Sequence, residues 1–304
     1  MNRNIFFSLA ALLLTASCST DDGRPSAASV EPVQADADAI VLTASMGEDV
    51  TTRGSQDVQT TAFDAGEQVR VECTPSGSAM QSVVYRAATA DGEGRNVLTP
   101  YSRALSWPAT GTVSLRAYYP STVGSSQTTF SVKADQSADG DYKQSDLMYA
   151  SPVSDQAKTE RIALTFHHAL SKIVVNLTAG SGVSDADLAS CTVAVRAART
   201  VTITNGVADA TTASDAGWIT IGTGASTAGI IVPQTIDGSS ASQQFLRVTM
   251  GGRTLYYKLA VNKTFAERKK YTYTLRVASS AVVLASAVIG EWGTGITDSD
   301  TIDF

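Results

Sequence analysis

The feature that most constrains the fold of this chain is a two-residue alternation of apolar and polar side chains. In the first clear run, Val69, Val71 and Cys73 alternate with Arg70 and Glu72. Successive side chains of a strand point to opposite faces, so the run predicts a strand with one buried and one solvent-facing side. The same alternation recurs in five further runs: Val113 to Ala117, Ile162 to Phe166, Ile173 to Leu177, Val193 to Val195 and Val201 to Ile203.

Helical periodicity is nearly absent, and Asp185 to Ser190 is the one segment that suggests a helical turn. Gly251 and Gly252 lie between two alternating runs and predict a hairpin, because glycine readily adopts positive φ. Strands interrupted by Gly, Ser and Asp at short intervals are typical of β-sandwiches. We therefore expect an all-β chain with two antiparallel sandwich domains, residues 40–169 and 170–304.

The N-terminal residues resemble a bacterial lipoprotein signal. Arg3 precedes an apolar run from Ile5 to Leu14, and small residues then lead into Cys18. Such a run is too short to span a bilayer and is typical of a cleaved export signal. We expect residues 1–17 to be removed, Cys18 to be lipidated, and residues 18–39 to form a flexible tether, although Thr15 stands where a lipoprotein signal prefers Leu. The alternative is a secreted protein in which Cys18 has no special role.

Composition argues against several classes of function. The formal net charge is −6 without a basic stripe, so we expect no nucleic-acid partner. The two histidines, His167 and His168, are neighbours that point to opposite faces of a predicted strand, and no nucleophile, phosphate-loop or zinc motif accompanies them. We expect no enzymatic activity and no cofactor. Cys73 and Cys191 are predicted to be buried free thiols rather than a disulfide.

Three smaller features allow two interpretations each. Asp135, Asp139 and Asp141 crowd a Gly-containing loop, but their spacing departs from a calcium loop, so no metal is expected. His168 shares the parity of the apolar residues before it and is predicted to be buried, with a backbone hydrogen bond; the alternative is a proton-linked site. Trp107, Trp218 and Trp292 are either sugar-stacking platforms or core anchors, and the second is favoured because they are isolated in the sequence.

Two adjacent segments carry a family resemblance. Asp146-Leu147-Met148-Tyr149-Ala150 is followed by Leu164-Thr165-Phe166-His167-His168-Ala169-Leu170-Ser171-Lys172-Ile173. Together they resemble the fimbrillin family of type V pili. Further similar segments are residues 63–71 (with Glu67 in place of Asp), 231–234, 271–275 and 289–292. Arg268 stands near the place where the family usually has a glycine before the Tyr-x-Tyr strand.

The resemblance implies a maturation route. Fimbrillins are exported as lipoproteins with two transthyretin-like β-sandwich domains, and an Arg-specific protease cuts them after the first strand. In this chain residues 40–44 correspond to that strand, and the bond between Arg53 and Gly54 corresponds to the cut. The alternative is that Arg53 is an ordinary loop residue.

Loss of a first strand would uncover an apolar groove and an unpaired edge, which an extended segment of a neighbouring subunit can fill. The candidate donor is the apolar run from residue 281 to residue 289, whose large side chains each contribute about 1.5–3 kcal/mol when buried. These side chains are Val282, Val283, Leu284, Val288 and Ile289.

The sequence thus predicts a structural or tip subunit of a type V pilus that serves adhesion at the cell surface. Its expected partners are other pilus subunits, the outer membrane through the lipid before processing, an Arg-specific protease, and a host or bacterial surface ligand. The alternative is a non-polymerising outer-membrane surface lipoprotein that binds a glycan or a host protein. Stalk, tip and anchor roles remain open at this stage.

Overall fold

The computed structural model describes residues 38–47, 62–239 and 244–292, and their fold is all-β. Within that part of the chain the first ten elements are β1 (Leu42–Met46), β2 (Gln68–Pro75), β3 (Gln81–Ala87), β4 (Asn96–Pro100), β5 (Val113–Tyr119), β6 (Thr129–Ser131), α1 (Asp139–Ser145), β7 (Met148–Ala150), β8 (Val153–Gln156) and β9 (Ile162–His168). The later elements are β10 (Ser171–Ala179), α2 (Asp185–Ala189), β11 (Thr192–Thr204), β12 (Val207–Thr223), β13 (Ser226–Ile231), β14 (Gln234–Ile236), β15 (Gln244–Met250), β16 (Arg253–Lys258), β17 (Lys263–Phe265), β18 (Lys269–Val277) and β19 (Val282–Glu291).

These strands form one large sheet and three smaller ones. The large sheet has the order β2-β3-β4-β1-β9-β7-β5-β8, and an additional pairing of β2 with β5 closes it on itself. The second sheet has the order β13-β10-β18-β19, and the third has the order β12-β11-β15-β16 with β6 beside β11. A two-stranded sheet of β14 and β17 completes the described part.

Two hydrophobic clusters fill the interior. The first contains residues of the large sheet, among them Leu42, Val71 and Phe166. The second joins inward residues of the second and third sheets. Phe130 and Leu147 pack in this second cluster although they precede residue 170. The division into domains of residues 40–169 and 170–304 stays a prediction.

The alternating runs are confirmed as strands, and their predicted inward side chains are buried. In β5, for example, Val113, Leu115 and Ala117 are buried, whereas Ser114 and Arg116 are not. The predicted solvent-facing side is wrong in places, because Glu72 of β2 and Lys172 and Val174 of β10 are also buried. The two runs from Val193 to Ile203 form a single long strand, β11. The apolar face of each strand is buried because it packs on one of the two clusters.

Both predicted local signals are confirmed. Gly251 and Gly252 connect β15 to β16 with φ of 54° and 77°, values that favour glycine. The short helix α2 begins after Ser184, whose side chain accepts a hydrogen bond from the Asp187 backbone while the Asp187 carboxylate accepts one from the Ser184 backbone. Arg268 replaces the expected glycine yet has a φ of 60°, so the left-handed turn before β18 is retained.

The helix α1 was not predicted, because residues 139–145 lie in what the sequence suggests is a polar loop. A seven-residue helix is too short to be stable by itself, so contacts with other elements hold it in place. Tyr142 is buried in the second cluster, and the Lys143 ammonium lies 2.6 Å from an Asp64 carboxylate oxygen. Among the helices of the described residues, none has the length and apolar character needed to cross a membrane.

Candidate functional site

The first candidate site is the position of β1 inside the large sheet. Its strand begins two residues later than predicted and lies between β4, to which it is antiparallel, and β9, to which it is parallel. Ile40, just before the strand, is 3% exposed, and Leu42 and Ala44 are fully buried. Removing β1 would therefore leave two facing unpaired edges and an apolar slot between them.

The second candidate site is β19, which carries the predicted donor residues. It lies at the end of its sheet and, among the described strands, pairs only with β18. Strand alternation places the five predicted side chains on two faces, and a register shift between Leu284 and Ser286 turns Ile289 rather than Val288 inward. Val282, Leu284 and Ile289 pack against the second cluster, whereas Val283 is 59% exposed and Val288 is partly buried outside that packed set. The strand is thus lightly buried along most of its length.

Trp292 provides a much stronger contact directly after β19. It is fully buried, and its ring stacks on His168 with 3.8 Å between ring centroids and 7° between ring planes. Its backbone N–H donates to the carbonyl oxygen of Arg268 at 2.6 Å. The end of β19 is therefore fixed by an aromatic anchor that the rest of the strand lacks.

His168 is buried as predicted, but its partner differs from the expected backbone group. Its Nδ1 lies 2.6 Å from Oδ1 of Asp146, and both side chains are buried. Burial of these polar groups is tolerated because they pair with each other. The parity of the strand indicated the burial, whereas the partner belongs to a residue twenty-two positions earlier and follows only from tertiary contacts.

The remaining predicted sites lie outside the described residues. These are the lipidation site Cys18 and the processing site Arg53 and Gly54. The nearest described residue before the cut is Gly47, whose backbone N–H donates to the Phe166 carbonyl oxygen at 2.9 Å. The ladder between the N-terminal segment and β9 therefore extends to residue 47.

The tryptophans do not all behave as predicted. Trp107 and Trp292 are buried core anchors, as expected. Trp218 instead lies partly exposed on the outer face of the third sheet, 6.0 Å from the ring of Tyr256, and the Arg247 guanidinium lies 4.7 Å from the Trp218 ring centroid. Sequence reasoning found no aromatic cluster because these residues are brought together by strand register across β12, β15 and β16.

The acidic loop and the cysteines have local explanations. Asp135 accepts hydrogen bonds from the backbone and hydroxyl of Ser137, which lower the pKa of its carboxyl. Asp139 lies 2.8 Å from the Lys143 ammonium. No group of three metal-ligating side chains occurs in residues 38–47, 62–239 and 244–292. Cys73 and Cys191 are buried free thiols, as predicted.

Comparison with known protein families identifies one family. The model of a family described as fimbrillin-like matches residues 52–292. The fimbrium subunit Fim1C of Bacteroides uniformis is 29% identical over 168 residues, which is 52% of this chain and 55% of that protein. The chain thus spans about half the length of the curated relative it matches.

Two solved structures share the fold. One is a cell adhesion protein from Bacteroides uniformis, with a TM-score of 0.62, 22% identity, and coverage of 84% of this chain and 98% of that chain. The other is a cell adhesion protein from Bacteroides ovatus, with a TM-score of 0.63, 17% identity and the same two coverages.

Proposed function

The chain belongs to the fimbrillin-like family, and from that membership we propose that it is a fimbrial subunit, structural or tip, that serves adhesion. It assembles with other pilus subunits at the cell surface. Lipid on Cys18 holds it on the outer membrane beforehand, and an Arg-specific protease releases the first strand by cutting after Arg53. The similarity to a fimbrium subunit and to the fold of cell adhesion proteins supports this role.

The position of β1 is the observation that carries the strand-exchange step. β1 makes three register pairs with β4 and five with β9, so its loss frees backbone groups on both sides. Its loss also exposes the apolar residues that surround Ile40 and Leu42. Burial of each of these two side chains contributes about 1.5–3 kcal/mol to stability. A cut subunit therefore has a strong tendency to accept a foreign strand, whereas an uncut subunit has its slot filled.

The light burial of β19 supports its role as the donor. In residues 282–290, whose burial the structure describes, only Ala287 is buried outright, and the outer edge of β19 has no partner among the described strands. Leaving the parent sheet breaks the ladder with β18 and uncovers side chains that are only partly buried, apart from Ala287 and Trp292. Val282 and Leu284 are spaced by two residues, as are Leu42 and Ala44 of β1, so they match the alternation of the slot.

A reversible cross-link tests this assignment. Val283 of β19 lies directly opposite Arg276 of β18, and both side chains are exposed. The double variant Arg276→Cys/Val283→Cys places two cysteines at neighbouring cross-strand positions, where a disulfide ties β19 to its own subunit. The mature chain and this variant are treated with an Arg-specific protease, the cut is mapped by mass, and oligomers are resolved on an unboiled denaturing gel.

We expect the mature chain to be cut after Arg53 and to give a ladder of detergent-resistant oligomers. The oxidised double variant should be cut equally but stay monomeric, and reductant should restore the ladder. Arg53→Lys is the matched control for cleavage, because it keeps the charge but removes the protease site. A ladder from the oxidised variant would exclude β19 as donor. A cut chain that stays monomeric without the cross-link would favour a non-polymerising surface lipoprotein.

A further inference from the structure

Strand register builds a row of aromatic and cationic side chains on the outer face of the third sheet. Arg196 of β11 is directly opposite Trp218 of β12, and Arg247 of β15 is directly opposite Tyr256 of β16. Arg247 also pairs with Ala194, which shares the face of Arg196. All four side chains of the row therefore project from the same side of the sheet, away from the second cluster.

The row is exposed and carries unneutralised positive charge. Tyr256 is 39% exposed, and its ring is tilted by 38° to that of Trp218. Neither Arg196 nor Arg247 makes a salt bridge with a carboxylate in the part of the chain that the structure describes. The chain as a whole has a net charge of −6, so the positive charge of Arg196 and Arg247 is opposite in sign to the net charge of the protein.

The row continues into a cavity of about 620 Å³. The next outward pair along β11 and β12 is Ala198 and Ala216, which line this cavity together with Arg196. Small side chains at these two positions leave room that larger ones would fill. Thr211 and Asp237 add polar groups to the lining.

Asp237 is suited to accept hydrogen bonds inside this cavity. The backbone N–H and hydroxyl of Ser239 donate to its Oδ1 at 2.8 and 2.6 Å. These hydrogen bonds lower the pKa of the Asp237 carboxyl, so it is ionised at neutral pH. A carboxylate of this kind accepts hydrogen bonds from hydroxyl groups.

We propose that this face binds an acidic saccharide. A sugar ring stacks on Trp218 and Tyr256, its carboxylate or sulfate pairs with Arg196, and a hydroxyl of the adjoining sugar enters the cavity and donates to Asp237. A single-stranded nucleic acid also combines rings with negative charge, but it offers fewer free hydroxyl groups than a saccharide to donate to Asp237. The inference goes beyond fimbrial assembly and does not depend on strand exchange.

Binding is tested on the uncut mature chain by calorimetry with two acidic probes, chondroitin sulfate hexasaccharide and oligogalacturonate. Dextran serves as the neutral probe, and a single-stranded oligonucleotide tests the competing class. The binding-site variants are Trp218→Ala, Arg196→Ala and Ala216→Leu, and the last of these narrows the cavity without altering charge. The matched control is Arg86→Ala, because the Arg86 guanidinium also lies over an exposed ring, 5.0 Å from the centroid of Tyr101, but on another sheet.

We expect at least one acidic probe to bind, and each site variant to lower its affinity by about tenfold or more. Arg86→Ala should leave the affinity unchanged within about twofold. Because Ala216 is exposed, Ala216→Leu tests the site even if Trp218→Ala fails to fold. Absence of binding by both acidic probes, equal binding of dextran, tighter binding of the oligonucleotide, or an equal loss in Arg86→Ala would overturn the proposal. Each result is obtained with monomer, so it is separate from the outcome of the cross-linking experiment.

Discussion

Truncation of Trp292 should destabilise the protein strongly and preferentially loosen β19. Replacing a fully buried aromatic side chain by alanine removes its packing and leaves a cavity, at a cost of about 3–5 kcal/mol. The stack on His168 is part of that loss. Since 1 kcal/mol lowers Tm by about 2–4 °C in a protein of this size, we expect Trp292→Ala to lower Tm by about 6–20 °C.

The matched control is the same substitution on the outer face of the third sheet. Trp218 is only partly buried and contacts Arg247 mainly through a cation–π interaction, so Trp218→Ala should cost about 1 kcal/mol. Thermal unfolding gives both values, and hydrogen exchange should show faster exchange of β19 amides in Trp292→Ala alone. Equal losses of stability in Trp292→Ala and Trp218→Ala, or hydrogen exchange in β19 of Trp292→Ala as slow as in the unmodified chain, would contradict this role of Trp292.

Three further predictions rest on single buried groups. Burial raises the pKa of the Cys73 thiol to about 11, so in native protein at pH 8 only about one molecule in a thousand carries the thiolate. A thiol reagent should therefore modify Cys73 only after denaturation, and rapid labelling of the native protein would contradict the burial. Asn96 is fully buried, and its side-chain amide accepts a hydrogen bond from the Phe63 N–H and donates one to the Phe63 carbonyl oxygen, each at 2.9 Å. Asn96→Ala should therefore lower the free energy of unfolding in urea by about 2–4 kcal/mol, and a loss below about 0.5 kcal/mol would refute this. Gly206 has a φ of 85°, and a Cβ added there would lie 2.8 Å from a tyrosine Cβ, whereas a Cβ added at Gly251 would meet nothing. Gly251→Ala should therefore cost about 1–2 kcal/mol of backbone strain, and Gly206→Ala should cost more. Equal losses of stability in unfolding experiments would show that the contact at residue 206 relaxes freely.

Much of the fold was predictable because alternation is a local property. The parity of each strand follows from its own residues, so the buried faces of β2, β5, β9 and β10 matched the sequence prediction. The capped turn at α2 and the glycine hairpin at residues 251 and 252 carry equally local signals. The helix α1 has no such local signal, because the contacts that hold it, such as the ion pair of Lys143 with Asp64, join residues that are distant in the chain.

The candidate sites were predictable only in part. The sequence located β1 and β19 as apolar segments, but it did not indicate that β1 lies between β4 and β9 or that a register shift in β19 turns Ile289 rather than Val288 toward the core. It also placed Trp218 in a core, because a single residue in a strand does not reveal its cross-strand neighbours. Trp218 lies near Arg247 and Tyr256 because of the register in which β12, β11, β15 and β16 pair. That register is set by the pairing of whole strands and not by any single residue.

Strand content, the inward faces, the state of the two thiols and the family resemblance were therefore all predictable from the amino-acid sequence. These properties depend on residue type and on spacing over a few positions. The tertiary structure alone decided the closure of the large sheet, the stack of Trp292 on His168, and the row that leads into the cavity. Each of these depends on groups far apart in the chain, whose approach is fixed by the packing of sheets around two cores.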